Sequence, residues 1–221
     1  MTTYVSDSFT GTNGTLLKNH APDIGGTWVH PYFVTTGFTD CETEISSNVG
    51  RRKDYAGSID DSWYYNSTAV PADCEVTMSV NIVGGYSADF EISLTLHGTA
   101  SDCVKGYLNP KNGIAGIASI YVLSAGGDPS SQTPTMSCAP GSHTIKFNCI
   151  SGVYSLYWDG VLVRTRTVTP PSSPGYSGIQ ASTTNFTPGD LVFDNYLAVS
   201  AGPPPPPPVF WTSFLNSHEV P

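Results

Sequence analysis

Strict alternation of apolar and polar residues is the feature that most constrains the fold of this 221-residue chain. In the stretch CEVTMSVNIV, which begins at Cys74, every second residue is apolar and the residues between are polar. Successive side chains of a β-strand point to opposite faces, so this pattern predicts a strand with one buried face. DFEISLTLH repeats it, with Ser93, Thr95 and His97 on the outward, polar side, and so does HTIKFNCI. We therefore expect half-buried antiparallel strands.

Turn residues divide the chain into many short segments. In SGVYSLYWDGVLVRTRTV, the pair Asp159-Gly160 interrupts two strand-like runs and predicts a hairpin, because glycine tolerates the positive φ of a tight turn. Gly (22 residues) and Pro (18) are abundant, charged residues make up 12% of the chain, and no stretch has the periodicity of an amphipathic helix. The predicted fold class is all-β, a jelly-roll β-sandwich of two antiparallel sheets that each bury one face.

The charge balance argues against several classes of partner. The chain carries nine Lys and Arg against eighteen Asp and Glu, a net charge of -9 that disfavours binding to phosphate backbones. No apolar run reaches the length of a membrane span, and the start MTTYVSDSFTGTNGT lacks the basic and apolar regions of a secretion signal. We therefore expect no nucleic-acid partner, no membrane partner and synthesis in the cytoplasm.

Five cysteines are spread along the chain without a C-x-x-C motif. This spacing, with no histidine pair at ligand distance, does not indicate a zinc site. Cys74 and Cys149 are in phase with the apolar residues of their strands and are predicted to be small core residues. The odd number leaves at least one thiol unpaired, and the spacing does not show which cysteines form disulfides.

The C-terminal segment differs sharply in composition from the rest of the chain. Six prolines at 203–208 favour a polyproline II rod of about 19 Å, because this conformation rises about 3.1 Å per residue. We predict a sandwich over 1–201, a polyproline linker over 202–208 and an anchoring peptide over 209–221. The apolar residues expected to hold a partner protein are Val209, Phe210, Trp211, Phe214 and Leu215. The alternative is that this peptide folds back onto the sandwich.

Three motifs in this order resemble concanavalin A-like lectin/glucanase domains, particularly those common in bacteriophage structural proteins. They are DSFTGTNGTLLKNHAPDIGGTWV near the N-terminus, YSLYWDGVLV late in the chain and GDLVFDNYLAV before the proline run. The resemblance covers roughly residues 4 to 200. It implies two curved antiparallel sheets with the first and last strands, around Phe9 and Phe193, side by side. Trp28, which follows the turn DIGG, is expected to be a core aromatic.

The same resemblance implies a structural calcium ion beside the terminal strands. Asp7 and Asp194 stand at the matching positions, and a hard cation needs several oxygen ligands close together. Two aspartates alone do not define a site, so apart from this candidate calcium we expect no cofactor.

Retaining hydrolases of the glucanase branch need an acid and a nucleophile about 5 Å apart. The pattern E-x-D-x-E, which would place such carboxylates on one strand face, is absent. Glu42 and Glu44 in DCETEIS are the nearest pair, and carboxylates at this spacing are more often solvated than catalytic. The G-x-S-x-G elbow of serine hydrolases is also absent. We therefore predict a protein without enzymatic activity.

Carbohydrate binding is the milder functional interpretation. Residues 47–68, SNVGRRKDYAGSIDDSWYYNST, are interpreted as a long polar recognition loop. Aromatic rings stack on sugars while charged and amide groups bind hydroxyls, so the candidate sugar-binding residues are Arg51, Asp61, Trp63, Tyr64 and Tyr65. Alternatively, these aromatic residues cover a sheet edge or meet a neighbouring subunit.

Together these observations predict a structural protein of a bacteriophage virion. We expect a capsid decoration protein that displays a lectin-like domain on the virion surface and binds other virion proteins through its C-terminal peptide. The competing prediction is an extracellular carbohydrate-binding module of a bacterial surface or tail-fibre protein that binds cell-surface glycans. A glucanase-type hydrolase comes third. Homo-oligomer formation is left open.

Overall fold

The computed structural model describes residues 1–30, 39–40, 42–53, 60–83, 90–111, 114–123, 139–183 and 191–202. Within these ranges the chain forms fifteen β-strands and a short 3-10 helix at Leu17–Asn19. The strands are β1 (Thr3–Asp7), β2 (Trp28–Val29), β3 (Thr39–Asp40), β4 (Thr43–Ser46), β5 (Val49–Arg52), β6 (Asp60–Val70), β7 (Cys74–Ile82), β8 (Phe90–Gly98), β9 (Val104–Lys111), β10 (Ile114–Val122), β11 (Gly141–Ile150), β12 (Val153–Trp158), β13 (Val161–Thr167), β14 (Gly175–Thr183) and β15 (Leu191–Ser200). In the same ranges, no helix is long and apolar enough to cross a membrane.

The strands form two sheets that pack face to face. The larger sheet has eight strands in the order β13-β12-β11-β7-β15-β5-β4, with β1 pairing to β15. The smaller sheet has seven in the order β10-β9-β8-β14-β6-β2, with β3 pairing to β6. The pairing is antiparallel except between β3 and β6. The predicted β-sandwich of two antiparallel sheets is confirmed.

The core lies between the sheets and is filled by the apolar side of the alternating strands. Along β7 every second residue is buried, as the alternation predicts, and Cys74 and Cys149 are core residues. The two sheets approach closely at Gly106 of β9, where an added Cβ would lie 2.6 Å from the Phe147 ring of β11. A side chain at position 106 would therefore push the sheets apart.

The outward polar side of β8 is less exposed than the pattern suggests. Ser93, Thr95 and His97 were expected on a solvated face, yet each is only 1% exposed. Ser93 is small and lies between Tyr107 and a glutamine on the neighbouring strands. His97 has a positive φ of 52°, which breaks the alternation at the end of β8, and its ring contacts Tyr154 of the other sheet.

The terminal strands lie side by side, as expected. β1 pairs with β15 from Thr3 opposite Val199 to Asp7 opposite Tyr196, and the Phe9 and Phe193 ring centroids are 5.3 Å apart. Trp28 is a core aromatic, confirming its prediction.

The predicted hairpin at Asp159-Gly160 is also confirmed. It joins β12 to β13, and the two residues have φ values of 50° and 77°. Two consecutive positive φ values are characteristic of a type I′ turn, whose twist matches that of the flanking strands.

The interpretation of residues 47–68 as one long loop is wrong. β5 and β6 occupy 49–52 and 60–70, and β6 lies inside the smaller sheet between β14 and β2. The alternation of β6 is hidden in the sequence because two of its buried residues, Ser62 and Asn66, are polar. The Ser62 hydroxyl hydrogen-bonds to the hydroxyl of Thr43 in the opposite sheet at 2.6 Å, so a polar pair occupies a core position here.

Candidate functional site

The outer face of the smaller sheet carries a cluster of aromatic and polar side chains, which we call the tyrosine face. Leu94 of β8, Leu108 of β9 and Ile120 of β10 belong to the core, so the residues that alternate with them lie on the opposite face. The described side chains of the tyrosine face are Trp63, Tyr65, Glu91, Ser93, Thr95, Lys105, Tyr107, Asn109, Ser119, Tyr121, Tyr176 and Gln180.

Strand register aligns these side chains in rows across the sheet. One row runs through Ser119, Tyr107, Ser93, Gln180 and Trp63, each directly opposite the next on adjacent strands. Residues directly opposite each other have Cβ atoms about 5 Å apart, so a row of this kind is a continuous surface. Tyr107, which is half-buried, therefore lies in one row with the buried hydroxyl groups of Ser93 and Ser119 and the buried amide group of Gln180.

In the next row, Lys105 lies close to a tyrosine of its own row and to Tyr107 of the row before. Lys105 lies opposite Tyr121 of β10, and its Nζ lies 4.9 Å from the Tyr121 ring centroid and 5.4 Å from that of Tyr107. A cation above an aromatic ring is attracted by the negative face of the ring. Further along the sheet, the Tyr65 and Tyr176 rings stack with centroids 5.0 Å apart. The tyrosine rings are thus held in fixed orientations.

The tyrosine hydroxyls are neutral over a wide pH range. Tyr107 donates a hydrogen bond to Glu91 Oε1 at 2.8 Å, and burial together with the Glu91 charge raises the pKa of Tyr107. Burial also raises the pKa of Tyr121, against the opposing effect of Lys105, and the pKa of Tyr65. These hydroxyl groups therefore stay neutral, and the hydroxyl hydrogen of Tyr107 is already donated to Glu91.

Two buried polar atoms of the tyrosine face have no hydrogen-bond partner within the described part of the chain: Ser93 Oγ and Asn109 Oδ1. Their residues are 1% and 6% exposed. An unpaired buried polar group costs about 1–3 kcal/mol, so native proteins usually pair such atoms with protein, water or ligand. Both atoms are acceptors with almost no exposed surface, so a bound hydroxyl group would reach them only if neighbouring side chains moved.

Comparison with solved structures finds the same architecture at low sequence identity. A Bacillus licheniformis β-glucanase matches with a TM-score of 0.57 and 13% identity, covering 90% of this chain and 98% of that one. The CBM66 carbohydrate-binding module from Bacillus subtilis has a TM-score of 0.51 and 13% identity, covering 90% and 97%. The CBM2 module of the evolved Dit of Lactobacillus casei BL23 phage J-1 has a TM-score of 0.56 and 12% identity, covering 90% and 96%. The chain has a concanavalin A-like lectin/glucanase fold.

No protein-family model and no curated protein sequence matches the chain. The structures that share its concanavalin A-like fold include both glucanases and carbohydrate-binding modules. The fold alone therefore does not separate hydrolysis from binding, and the side chains must be compared with the needs of each.

The five predicted sugar-binding residues do not form one cluster. Trp63 and Tyr65 lie on the tyrosine face, whereas Asp61 is described only by its register opposite Ser182. Tyr64 and Arg51 lie elsewhere in the structure.

Tyr64 is a core residue, so its ring cannot stack on a sugar and that prediction is wrong. Its hydroxyl accepts a hydrogen bond from the Thr43 backbone N–H at 3.2 Å. Arg51 lies on the larger sheet, where its Nε and Nη2 atoms donate to Glu44 Oε1 at 3.0 and 2.8 Å.

Glu42 and Glu44 are each bound by a different cation. Lys18 Nζ contacts Glu42 Oε1, and Arg51 holds Glu44, which is 8% exposed. Glu44 is therefore less solvated than the sequence suggested. Both residues are at the β4 end of the larger sheet, away from the tyrosine face. Each of these carboxylates is therefore paired with a cation of its own.

Asp7 has a structural role between the terminal strands. Its Oδ1 atom accepts hydrogen bonds from the Phe9 backbone N–H at 2.7 Å and from His20 Nε2 at 2.9 Å, and Oδ2 accepts one from Trp28 Nε1 at 2.6 Å. N–H donors therefore contact both oxygens of Asp7 and hold the start of the chain against His20 and Trp28.

Asp194 does not complete a metal site with Asp7 in the described residues. Its Oδ1 atom accepts a hydrogen bond from the Asn195 backbone N–H at 2.7 Å, and burial and the charge of Asp7 raise its pKa. Within the described ranges, no group of three or more His, Cys, Asp or Glu residues could hold a metal ion. Calcium binding stays an untested prediction.

The anchoring residues Val209, Phe210, Trp211, Phe214 and Leu215, and the linker from 203 onwards, lie outside the described residues. The division of the chain into sandwich, linker and anchoring peptide therefore also stays a prediction.

Sequence reasoning missed most of the tyrosine face. Lys105, Tyr107 and Asn109 alternate with buried residues in VKGYLNPK, and Tyr121 does the same in IAGIASIYV. The signal was present, but Gly106 and a proline weaken the strand pattern of β9.

Proposed function

We propose that this chain is a non-catalytic structural protein of a bacteriophage particle, and that its tyrosine face binds a glycan. The observation that carries the glycan proposal is the combination of half-buried tyrosine rings with the unpaired atoms Ser93 Oγ and Asn109 Oδ1. Aromatic rings pack against the C–H faces of sugars, and fixed polar groups bind the hydroxyls and set the orientation. Carbohydrate-binding modules of the same fold support this proposal.

The charges of the face favour a neutral glycan. Among its described side chains, Lys105 and Glu91 carry opposite charges and share Tyr107 as a neighbour. The chain as a whole carries a net charge of -9, which would repel an anionic polymer. An uncharged polysaccharide of the cell surface would not be repelled by this negative charge.

Binding without hydrolysis fits the carboxylates of the face. Hydrolysis with retention or inversion uses two carboxyl groups on opposite sides of the glycosidic bond. Glu91 is the carboxylate among the described side chains of the tyrosine face, and it accepts a hydrogen bond from Tyr107. We propose that Glu91 orients a sugar hydroxyl, while Asp61, which lies in the same row by register, has a side chain outside the described residues.

The virion assignment rests on two supporting observations. One structural neighbour is a CBM2 module of the evolved Dit of phage J-1. The sequence after the sandwich continues with six prolines and the apolar stretch VFWTSFL, which suits a spacer followed by a segment that inserts into another protein. We propose that the protein decorates the capsid, with the sandwich at the virion surface and the C-terminal segment bound to other virion proteins.

Glycan binding is tested with the full-length chain on insoluble neutral polysaccharides and on isolated bacterial cell walls. We expect the protein to be retained, and Tyr107→Ala to reduce retention strongly. Tyr157→Ala is the matched control, because Tyr157 is a half-buried tyrosine of the larger sheet with Lys146 Nζ 4.3 Å from its ring centroid. Absence of retention on every polysaccharide, or equal loss in both variants, would contradict the proposal.

Attachment to the virion is tested separately. The full-length chain and a version that ends at Ala201 are used to recover partners from lysate of infected cells, followed by mass spectrometry. Recovery of a capsid protein by the full-length chain alone is expected. Equal recovery by both versions would contradict attachment through the C-terminal segment, whatever the result for glycan binding.

A further inference from the structure

Two cysteines face each other at one end of the larger sheet. Cys74 is the first residue of β7, and Cys149 lies directly opposite it on β11. Both carry free thiols, and they are 0% and 2% exposed. Tyr154 of β12 lies directly opposite Cys149, so the three residues form one row across three strands.

The register brings the cysteine backbones within the range of a disulfide. Residues directly opposite each other in an antiparallel pair have Cα atoms about 4.5 to 5.5 Å apart. A disulfide spans Cα distances of about 4.4 to 6.8 Å. Both side chains also lie on the core side of the sheet. The two thiols are therefore neighbours that could be joined with little backbone movement.

His97 from the smaller sheet completes the cluster. Its Nε2 atom lies 3.1 Å from the Pro71 carbonyl oxygen, which only accepts hydrogen bonds, so Nε2 carries the proton. Nδ1 is then the acceptor for the Tyr154 hydroxyl hydrogen. Burial lowers the pKa of His97, in keeping with a neutral ring.

The cysteines are connected to this histidine on both sides. Cys74 Sγ lies 3.6 Å from His97 Nε2. Tyr154 is also hydrogen-bonded to the Cys149 side chain. Burial raises the pKa of both thiols, so the reactive thiolates form when the end of the sheet opens and water reaches them.

We propose that Cys74 and Cys149 form an intramolecular disulfide by exchange with a low-molecular-weight disulfide such as oxidised glutathione. The Cys149 thiolate attacks one sulfur of the oxidant, releasing one glutathione thiolate and leaving a mixed disulfide. The Cys74 thiolate then attacks the Cys149 sulfur and releases the second glutathione. Each protein thiol loses one proton and together they lose two electrons, which reduce the oxidant to two thiols.

The reagent reaches the pair through the end of the sheet. Cys74 begins β7, and Cys149 is followed by the turn at Ser151 and Gly152, whose φ values are 51° and 79°. Strand ends open locally at lower free energy than the centre of a sheet. The bond would then join β7 to β11, a covalent link independent of the tyrosine face and of glycan binding.

To test this, the full-length native protein is treated with oxidised glutathione. Its remaining thiols are then blocked in denaturant, and the protein is digested with trypsin. Cleavage after Lys and Arg places Cys74 in the peptide 54–105 and Cys149 in 147–164. We expect these two peptides to be linked, with a mass lower than their sum by two hydrogen atoms, and to separate on reduction.

Variants identify the cysteines involved. Cys103 shares the peptide 54–105 with Cys74, so Cys103→Ser should keep the link, whereas Cys149→Ser should remove it. Recovery of both peptides with blocked thiols after oxidation would overturn the proposal. So would a link from 147–164 to 19–51 or 112–146, which contain Cys41 and Cys138. The wild-type peptide map decides the question even if Cys149→Ser does not fold.

Discussion

The outer faces of the two sheets differ in the size and chemistry of their side chains, although both sheets bury their inner faces in one core. On the larger sheet, two adjoining cavities of about 360 and 350 Å³ share Ser79, Thr144 and Asn195, small polar residues on neighbouring strands. On the smaller sheet, the corresponding positions hold tyrosines with Lys105 close to two of them. The same strand geometry thus produces a shallow polar groove on one side and an aromatic platform on the other.

The polar groups of the two outer faces also differ in how completely they are hydrogen-bonded. Two described carboxylates line the larger-sheet groove: Asp7 is paired with three N–H donors and Asp194 with the Asn195 backbone N–H. On the tyrosine face, Ser93 Oγ and Asn109 Oδ1 have no partner in the part of the chain that the structure describes. Most buried polar groups in native proteins have a partner, so unpaired ones need a specific explanation.

The largest expected effect is on the larger sheet. Asp7→Asn should lower the free energy of unfolding by about 3 kcal/mol, because it weakens buried, charge-assisted bonds to Phe9, His20 and Trp28. Asp194→Asn should leave stability unchanged or raise it slightly, since burial and Asp7 disfavour its charge. Urea denaturation measures both. Equal destabilisation by Asp7→Asn and Asp194→Asn would contradict the structural role assigned to Asp7.

The next largest effect concerns the tyrosine face. Tyr107→Ala should weaken glycan binding by about 30-fold, since truncation of a central aromatic contact costs about 2 kcal/mol. Tyr107→Phe should lose less, because the ring remains and only the hydrogen bond to Glu91 is removed. Isothermal titration of each variant measures the loss. A larger loss in the phenylalanine variant would show that stacking is not the main contribution.

A smaller and opposite pair of effects is expected at Ser93. Its buried hydroxyl has no partner among the described residues, so Ser93→Ala should leave the free energy of unfolding unchanged or raise it by up to about 1 kcal/mol. The same variant should weaken glycan binding severalfold, because the ligand loses an acceptor. Thermal unfolding and titration together test this. Reduced stability with unchanged binding would show that the Ser93 hydroxyl stabilises the fold and does not bind the glycan.

The smallest effect is the pH dependence of stability. Tyr107, Tyr121 and Tyr65 have pKa values raised above the ordinary value of 10.0. A folded-state pKa above the unfolded value stabilises the fold fully below pH 10 and loses this contribution as the pH rises through the folded pKa.

His97 gives the reverse dependence, because its pKa is lowered from the ordinary value of 6.5. Its neutral form stabilises the fold above pH 6.5, and the contribution is lost as the pH falls below that value. Urea denaturation across pH should show both losses. A flat profile in His97→Gln below pH 6.5, beside a falling wild-type profile, would assign the acidic loss to this residue.

Local pattern predicted the fold well where one face of a strand is uniformly apolar. β7 is the best example, since each alternate residue from Cys74 to Ile82 is buried. β6 was missed because its buried side includes Ser62 and Asn66, so burial there does not follow polarity. The local sequence shows only which residues are polar, whereas the pairing of Ser62 with Thr43 depends on the opposite sheet.

The site was predictable only in part because it depends on register between distant strands. Trp63 and Tyr65 were identified from composition, and both lie on the tyrosine face. Tyr107 lies opposite Ser93 and Ser119 only because β9 pairs with β8 and β10 at one particular offset. A shift of one residue would exchange the core and outer faces, and no local motif reports that offset.

The central claim is that the smaller sheet, rather than the larger, presents the binding surface. Amide hydrogen exchange of the full-length protein, with and without saturating neutral polysaccharide, tests it directly. We predict slower exchange in β9 and β10 on binding, with β7 and β11 unchanged. Protection of β7 and β11 around the Ser79 and Thr144 groove, with none in β9 and β10, would contradict the account.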